Sequence, residues 1–161
     1  MTGLVVCPVA PDDEAFAPFR RFVTPPDLPG ERAFYSEMLR ERDSQSAPVL
    51  HVNHVPETRL PIRISKIERH PHAAQCFFPL DVARYVVMVM PSDPNGDPVV
   101  EQTLAFVTPG NTGVIFHPNV WHLGATVLDR PGQFTVLMWR DGARPDDAFR
   151  AIPPLTLSDE S

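Results

Sequence analysis

The sequence predicts a mainly β protein, a sandwich or barrel of short strands whose helical content is confined to the first third. Three observations lead there. Twenty prolines and eight glycines in 161 residues cut the chain into pieces too short for long helices, because proline lacks the donor that a helix interior needs. The apolar runs between these breaks are short and bounded by turn residues, as strands are. Two of the boundaries, Ser92-Asp93-Pro94-Asn95-Gly96 and Asp129-Arg130-Pro131-Gly132, carry strong chain-reversal chemistry.

Taken in order, residues 3–7 form a first strand, Asp12 or Asp13 caps a turn through Phe16, and residues 29–42 read as one short amphipathic helix. Strands follow at 48–53, 61–66, 74–78, 84–90, 103–107, 113–116, 121–128 and 133–139, a spacing that suits a sandwich or barrel. The length is that of one domain, expected over 1–161, with an N-terminal extension over about 1–47, a barrel over about 48–142 and a tail over 143–161. The extension is expected to pack on the barrel or to extend it. The tail from Pro153 to Ser161 is polar at its end and is expected to be mobile.

Hydrophobic residues make up 43% of the chain, enough for a core without disulfide or metal staples. The formal net charge is -6, and no basic run is longer than Arg20-Arg21, which argues against nucleic acid or an anionic membrane as partner. A small anionic substrate is compatible with that charge, since a few arginines act locally in a pocket. Cys7 and Cys76 are far apart and form no Cys-x-x-Cys, so a cytoplasmic protein is expected. The first ten residues lack a basic flank, and the longest apolar run, residues 85–90, is far short of a membrane span.

Four of the six histidines fall in two blocks, Glu68-Arg69-His70-Pro71-His72-Ala73-Ala74-Gln75 and Gly113-Val114-Ile115-Phe116-His117-Pro118-Asn119-Val120-Trp121-His122. Both lie among strands, so they can converge, and converging imidazoles in an apolar container serve proton transfer or metal binding. On an extended segment His70 and His72 share one face, which is how a strand offers two ligands to one metal; the same pair also arises with one ring packed and the other solvated. A bulge at Pro71 would bring Gln75 to that side. His117 leaves a buried strand at a turn, Trp121 could wall a pocket or serve the core, and Arg69, Arg84 and Arg140 could hold a substrate carboxylate. Nothing in the spacing says whether His51 or His54 faces inward.

Residues Leu60-Pro61-Ile62, Glu68-Arg69-His70-Pro71, Gln75, Phe78-Pro79, Gly113-Val114, Phe116-His117 and Asn119-Val120-Trp121-His122 resemble the ureidoglycolate lyase family. The resemblance covers about residues 48–140, with a weaker echo at Glu14-Ala15-Phe16. It implies a cupin-like double-stranded β-barrel of jelly-roll type and a homodimeric enzyme of allantoin and purine degradation that splits ureidoglycolate into glyoxylate and urea. It also implies a pocket at His70, Gln75, His117, Trp121 and His122. Imidazoles serve as acid and base near neutral pH, so His117 or His122 is expected as base, with His70 and Gln75 orienting the hydroxyl or ureido group. Three positions depart from the family pattern. Asn53-His54 stands where an arginine is expected, Met138-Trp139-Arg140 lacks the acid before its arginine, and His72 replaces an apolar residue. The His-x-His so formed leaves open a metal-dependent cupin, with His70, His72, Gln75 and His117 around a divalent ion such as Ni, Mn, Fe or Zn. A binding protein that keeps the pocket without the chemistry is the third reading.

Overall fold

A computed structural model describes residues 3–143 and 145–159; Met1, Thr2, Arg144, Glu160 and Ser161, and with them the very end of the expected mobile tail, lie outside the described residues. The strands are β1 (Leu4–Val6), β2 (Arg20–Val23), β3 (Ala47–Val55), β4 (Glu57–Thr58), β5 (Ile62–Arg69), β6 (Gln75–Asp81), β7 (Arg84–Met90), β8 (Leu104–Pro109), β9 (Gly113–Phe116), β10 (Trp121–His122), β11 (Thr126–Leu128), β12 (Gly132–Arg140) and β13 (Ala148–Leu157). One helical turn, α1 (Asp13–Phe16), begins at Asp12, whose carboxylate accepts from the Glu14 and Ala15 N–H groups. The protein is thus mainly β, as the sequence predicts.

The strands form two sheets. The smaller runs β2-β9-β6-β12-β3, and the larger runs β1-β13-β5-β10-β7-β11-β4, with β8 also paired to β7. β10 and β11 lie on the same edge of β7, where Trp121 and His122 face Met90 and Val89, and Thr126 faces Val86. Residues 123–125 therefore oppose only Val87 and Met88, so the expected strand 121–128 is one strand broken by a bulge.

β7 explains why its sequence is an unbroken apolar run. Tyr85, Val87 and Val89 pack with Phe16, Phe22, Phe77, Phe106 and Phe134 between the two sheets. Val86, Met88 and Met90 pack on the other face with Ile64, Ile67, Trp121, Leu155 and Leu157. A strand buried on both faces has no polar side to alternate with. The larger sheet curls around this second core: β1 pairs with β13 at one edge, and Val9, in the same extended segment, bridges Phe106 of β8 at the other. No closed barrel forms among the described residues.

Two expectations are corrected. The helix over 29–42 shrinks to a 3₁₀ turn at Ser36–Leu39. Its apolar spacing is real, since Tyr35, Met38 and Leu39 pack on Ala74, Cys76 and Ile115 on the outer face of the smaller sheet, but Gly30 at φ 90° breaks the chain before it. The tail is not loose through its length, because β13 is a ten-residue strand with Ile152, Leu155 and Leu157 buried. Its pairing with β5 shifts register between Ala151 and Leu155, which accommodates Pro153 and Pro154, the residues that hide it in the sequence. β1 and β2, both in the expected extension, belong one to each sheet.

Candidate active site

Glu68 on β5 stands opposite His122 on β10, so their side chains leave the sheet on the same face. That face looks toward the smaller sheet, where Gln75 of β6 pairs in register with Phe116 of β9. The His122 ring lies flat on Phe116, with centroids 4.4 Å apart and planes 14° apart. Its Nδ1 donates to the Val120 carbonyl at 2.9 Å, and its Nε2 lies 3.1 Å from Gln75 Oε1 and 3.5 Å from Glu68 Oε1. Both ring nitrogens face acceptor oxygens, which suits a ring that donates from each side.

His70 follows β5 directly and is buried, its ring centroid 5.4 Å from that of His122. Nδ1 donates to the Asp146 carbonyl at 2.8 Å and lies 3.1 Å from Asp147 Oδ1. A carbonyl only accepts, so the proton of the neutral ring sits on Nδ1 and the lone pair on Nε2. That Nε2 is buried and has no hydrogen-bond partner. Asn119, at φ 70°, donates its backbone N–H to the His70 carbonyl at 2.7 Å, tying the turn before His122 to His70.

The electrostatics follow from these contacts. Burial, reinforced by the charge of His122, holds His70 below the usual imidazole pKa, against the pull of the Asp146 carbonyl. The hydrogen bond from His122 holds the Glu68 carboxyl below the usual carboxylate value and outweighs its burial. Beside Glu68 opens a cavity of about 190 Å³ lined by Lys66, Ile67, Glu68, Gly124 and Phe149. Gly124 lies in the β10–β11 bulge, and a methyl group there would meet Glu68 Oε1 at 3.5 Å; a larger side chain would fill the cavity.

Among the described residues, Glu68, His70 and His122 bring three potential ligand atoms within 4.8 Å of one another. One carboxylate and two imidazoles fit a divalent ion such as zinc or nickel, and the unpartnered His70 Nε2 is the atom such an ion would use. His72 and His117, expected as ligands, are not in that group. The backbone N–H of His72 donates to Asp146 Oδ1 at 2.9 Å, and the His117 ring lies against Arg20 and Glu41.

The other expected residues separate. Trp121 and Arg69 each neighbour a residue of the cluster in sequence, so strand alternation sends them to the opposite face of the larger sheet. There Arg69 lies over the Trp121 ring at 4.2 Å, and both donate to the Gly96 carbonyl. Arg84 forms a two-pronged ion pair with Asp129, five residues along β7 from Val89, which is about 17 Å. Arg140 binds both carboxylate oxygens of Asp147 at 3.1 Å and so reaches His70 through that aspartate. His51 and His54 are exposed on β3. Sequence reasoning missed Glu68, Asp146, Asp147, Arg20 and Glu41. Only Glu68 carried a usable signal, lying two residues before His70 on the same strand face.

A family model described as ureidoglycolate lyase matches residues 5–151. The chain belongs to the ureidoglycolate lyase family. Curated relatives of that name include one from Schizosaccharomyces pombe, 34% identical over 89 residues, 53% of this chain and 47% of the relative. Another is from Escherichia coli K12, 36% identical over 89 residues, 55% of this chain and 54% of the relative. The chain spans about half the length of the curated relatives it matches. Of the ureidoglycolate lyase motif residues, His70, Gln75 and His122 meet at one place, His117 joins Arg20, and Trp121 serves the core behind them.

Proposed function

We propose that this chain is a lyase that cleaves ureidoglycolate to glyoxylate and urea. The observation that carries the reading is the buried, unpartnered Nε2 of His70, a lone pair held ready for a proton. The substrate carries a hydroxyl and a ureido nitrogen on the same carbon. His70 takes the hydroxyl proton, the C–O bond becomes a carbonyl as the C–N bond breaks, and the departing nitrogen receives a proton to leave as urea. His122, donating toward Gln75 and Glu68, supplies that proton, and Gln75 orients the ureido group. The base role thus moves from His117 or His122, where imidazole chemistry alone put it, to His70.

The three-atom group of Glu68, His70 and His122 supports a second reading, in which a divalent ion held there would polarise the substrate oxygen. A coupled assay of urea and glyoxylate, run on chelator-treated and metal-supplemented protein, separates the two. Equimolar products in both arms, lost in His70→Ala, support the metal-free lyase; products only with metal support the second reading; none in either arm overturns both.

The family resemblance further suggests a cytoplasmic homodimer. The outer face of the smaller sheet favours self-association, since Leu50 and Val52 on its edge strand β3 and Leu80 on β6 are each at least 60% exposed, an arrangement that invites pairing. A second copy across a two-fold would cover it, and sedimentation at micromolar concentration measures that directly.

A further inference from the structure

Arg20 opens β2 at φ 141°, where a side chain is strained and glycine is favoured; such strain persists where the surroundings hold the residue in place. Its NH1 lies 3.3 Å from Nδ1 and 3.2 Å from Nε2 of His117, so the guanidinium rests against the ring rather than along one lone pair. Glu41 bridges the two. Its Oε1 is 3.2 Å from Arg20 NH1, and its Oε2 is 3.4 Å from His117 Nδ1. The side chains of Arg20 and His117 are 19% and 27% exposed, whereas that of Glu41 is 54% exposed. The cation and the imidazole are walled in, and the carboxylate reaches them from outside.

The position relative to the imidazole cluster is set by register. Arg20, Phe116 and Gln75 form one row across β2, β9 and β6, about 10 Å from first to last, and Phe116 carries the ring of His122. The other arginines with a claim on substrate are committed elsewhere: Arg69 to Trp121 and Gly96, Arg84 to Asp129, and Arg140 to Asp147.

We propose that Arg20 and His117 form a seat for a small carboxylate anion, which Glu41 fills until a ligand displaces it. Resting on the function proposed above for the identity of its ligand, the seat takes the carboxylate of ureidoglycolate. Glu41 then acts as an internal competitor, lowering the apparent affinity by the fraction of time it occupies the seat.

Calorimetric titration with glycolate, a hydroxy acid without the ureido group, and with its neutral amide glycolamide tests the seat apart from turnover. The variants are Arg20→Gly, which removes the guanidinium while relaxing the backbone at φ 141°, and Glu41→Gln. Glycolate binds the wild type, about ten- to hundredfold more weakly in Arg20→Gly and several-fold more tightly in Glu41→Gln; glycolamide binds none. Equal glycolate affinity in all three proteins overturns the seat. The expected titrations without urea release from the wild type would uphold the seat and overturn the lyase reading. Urea release with an unchanged KM in Arg20→Gly would overturn the seat as the substrate's own.

Discussion

Glu68 and His122 face each other across β5 and β10 with Oε1 and Nε2 3.5 Å apart, and 53 residues of chain leave and return between them. The contact joins the two histidine blocks of the sequence. It also fixes which way the imidazole of His122 points, since its other nitrogen is held by Val120 within the same turn.

Glu68→Gln is expected to lower turnover and also to change the response of stability to pH. The folded pKa of Glu68 is depressed by the His122 hydrogen bond, so its contribution is fully present above the unfolded carboxylate pKa of about 4.3. It is lost as pH falls through the lower folded value. Wild type should exceed the variant by about 1–2 kcal/mol near neutrality, with the gap closing in acid, as urea unfolding at pH 7 and below pH 4 would measure.

His70 must be neutral to accept a proton, and burial lowers its pKa below the usual imidazole value. Activity should therefore persist to lower pH than an ordinary histidine base allows and fall only as the pH drops through that lowered value. The acid limb of kcat/KM reports it. His70→Ala should lose about a hundred- to ten-thousandfold in kcat, and a variant retaining full turnover would remove His70 from the mechanism.

Arg140 holds Asp147, which in turn touches His70 Nδ1. Its loss should act on kcat rather than on substrate affinity. In Arg140→Ala we expect kcat to fall about tenfold, one unit of 1.4 kcal/mol, with KM near the wild-type value. A large rise in KM instead would return Arg140 to the role of substrate anchor.

Trp121→Phe should cost stability without touching the chemistry, since the ring lies behind the cluster and gives its N–H to Gly96 at 3.0 Å. Loss of that half-buried hydrogen bond, with the Gly96 carbonyl still served by Arg69, is worth about 1 kcal/mol. Thermal unfolding and kcat/KM measured together would show the first moving and the second not.

The sequence carried the strand-rich architecture because turn chemistry and apolar runs are local signals: β7 and β9 appear at the expected bounds. It hid β13, since two prolines in a strand read as a break until a register shift makes room for them. For the site, the pairing of the two histidine blocks was legible, but the assignment of faces was not drawn from it. Trp121 and His122 are neighbours, so one of them had to point away from any shared pocket. Asp146 and Asp147 lie in a segment with no periodicity at all, and what they do depends on a fold that returns residue 146 to residue 70. Arg20 looked like one half of a charged pair, and only its backbone angle and its contact with His117 set it apart.

The first strand of this chain pairs Leu4 with Leu155 and Val6 with Leu157, and a few residues later Val9 grips β8. During synthesis residues 4–9 leave the ribosome long before Phe106 and Leu155–Leu157, their partners, and in the meantime both margins of the larger sheet are unsealed. Such distant pairing is slow, because the loop must close before the contact rewards it. The seam that Leu4–Val6 and Val9 close across the larger sheet is therefore expected among the late contacts of the fold.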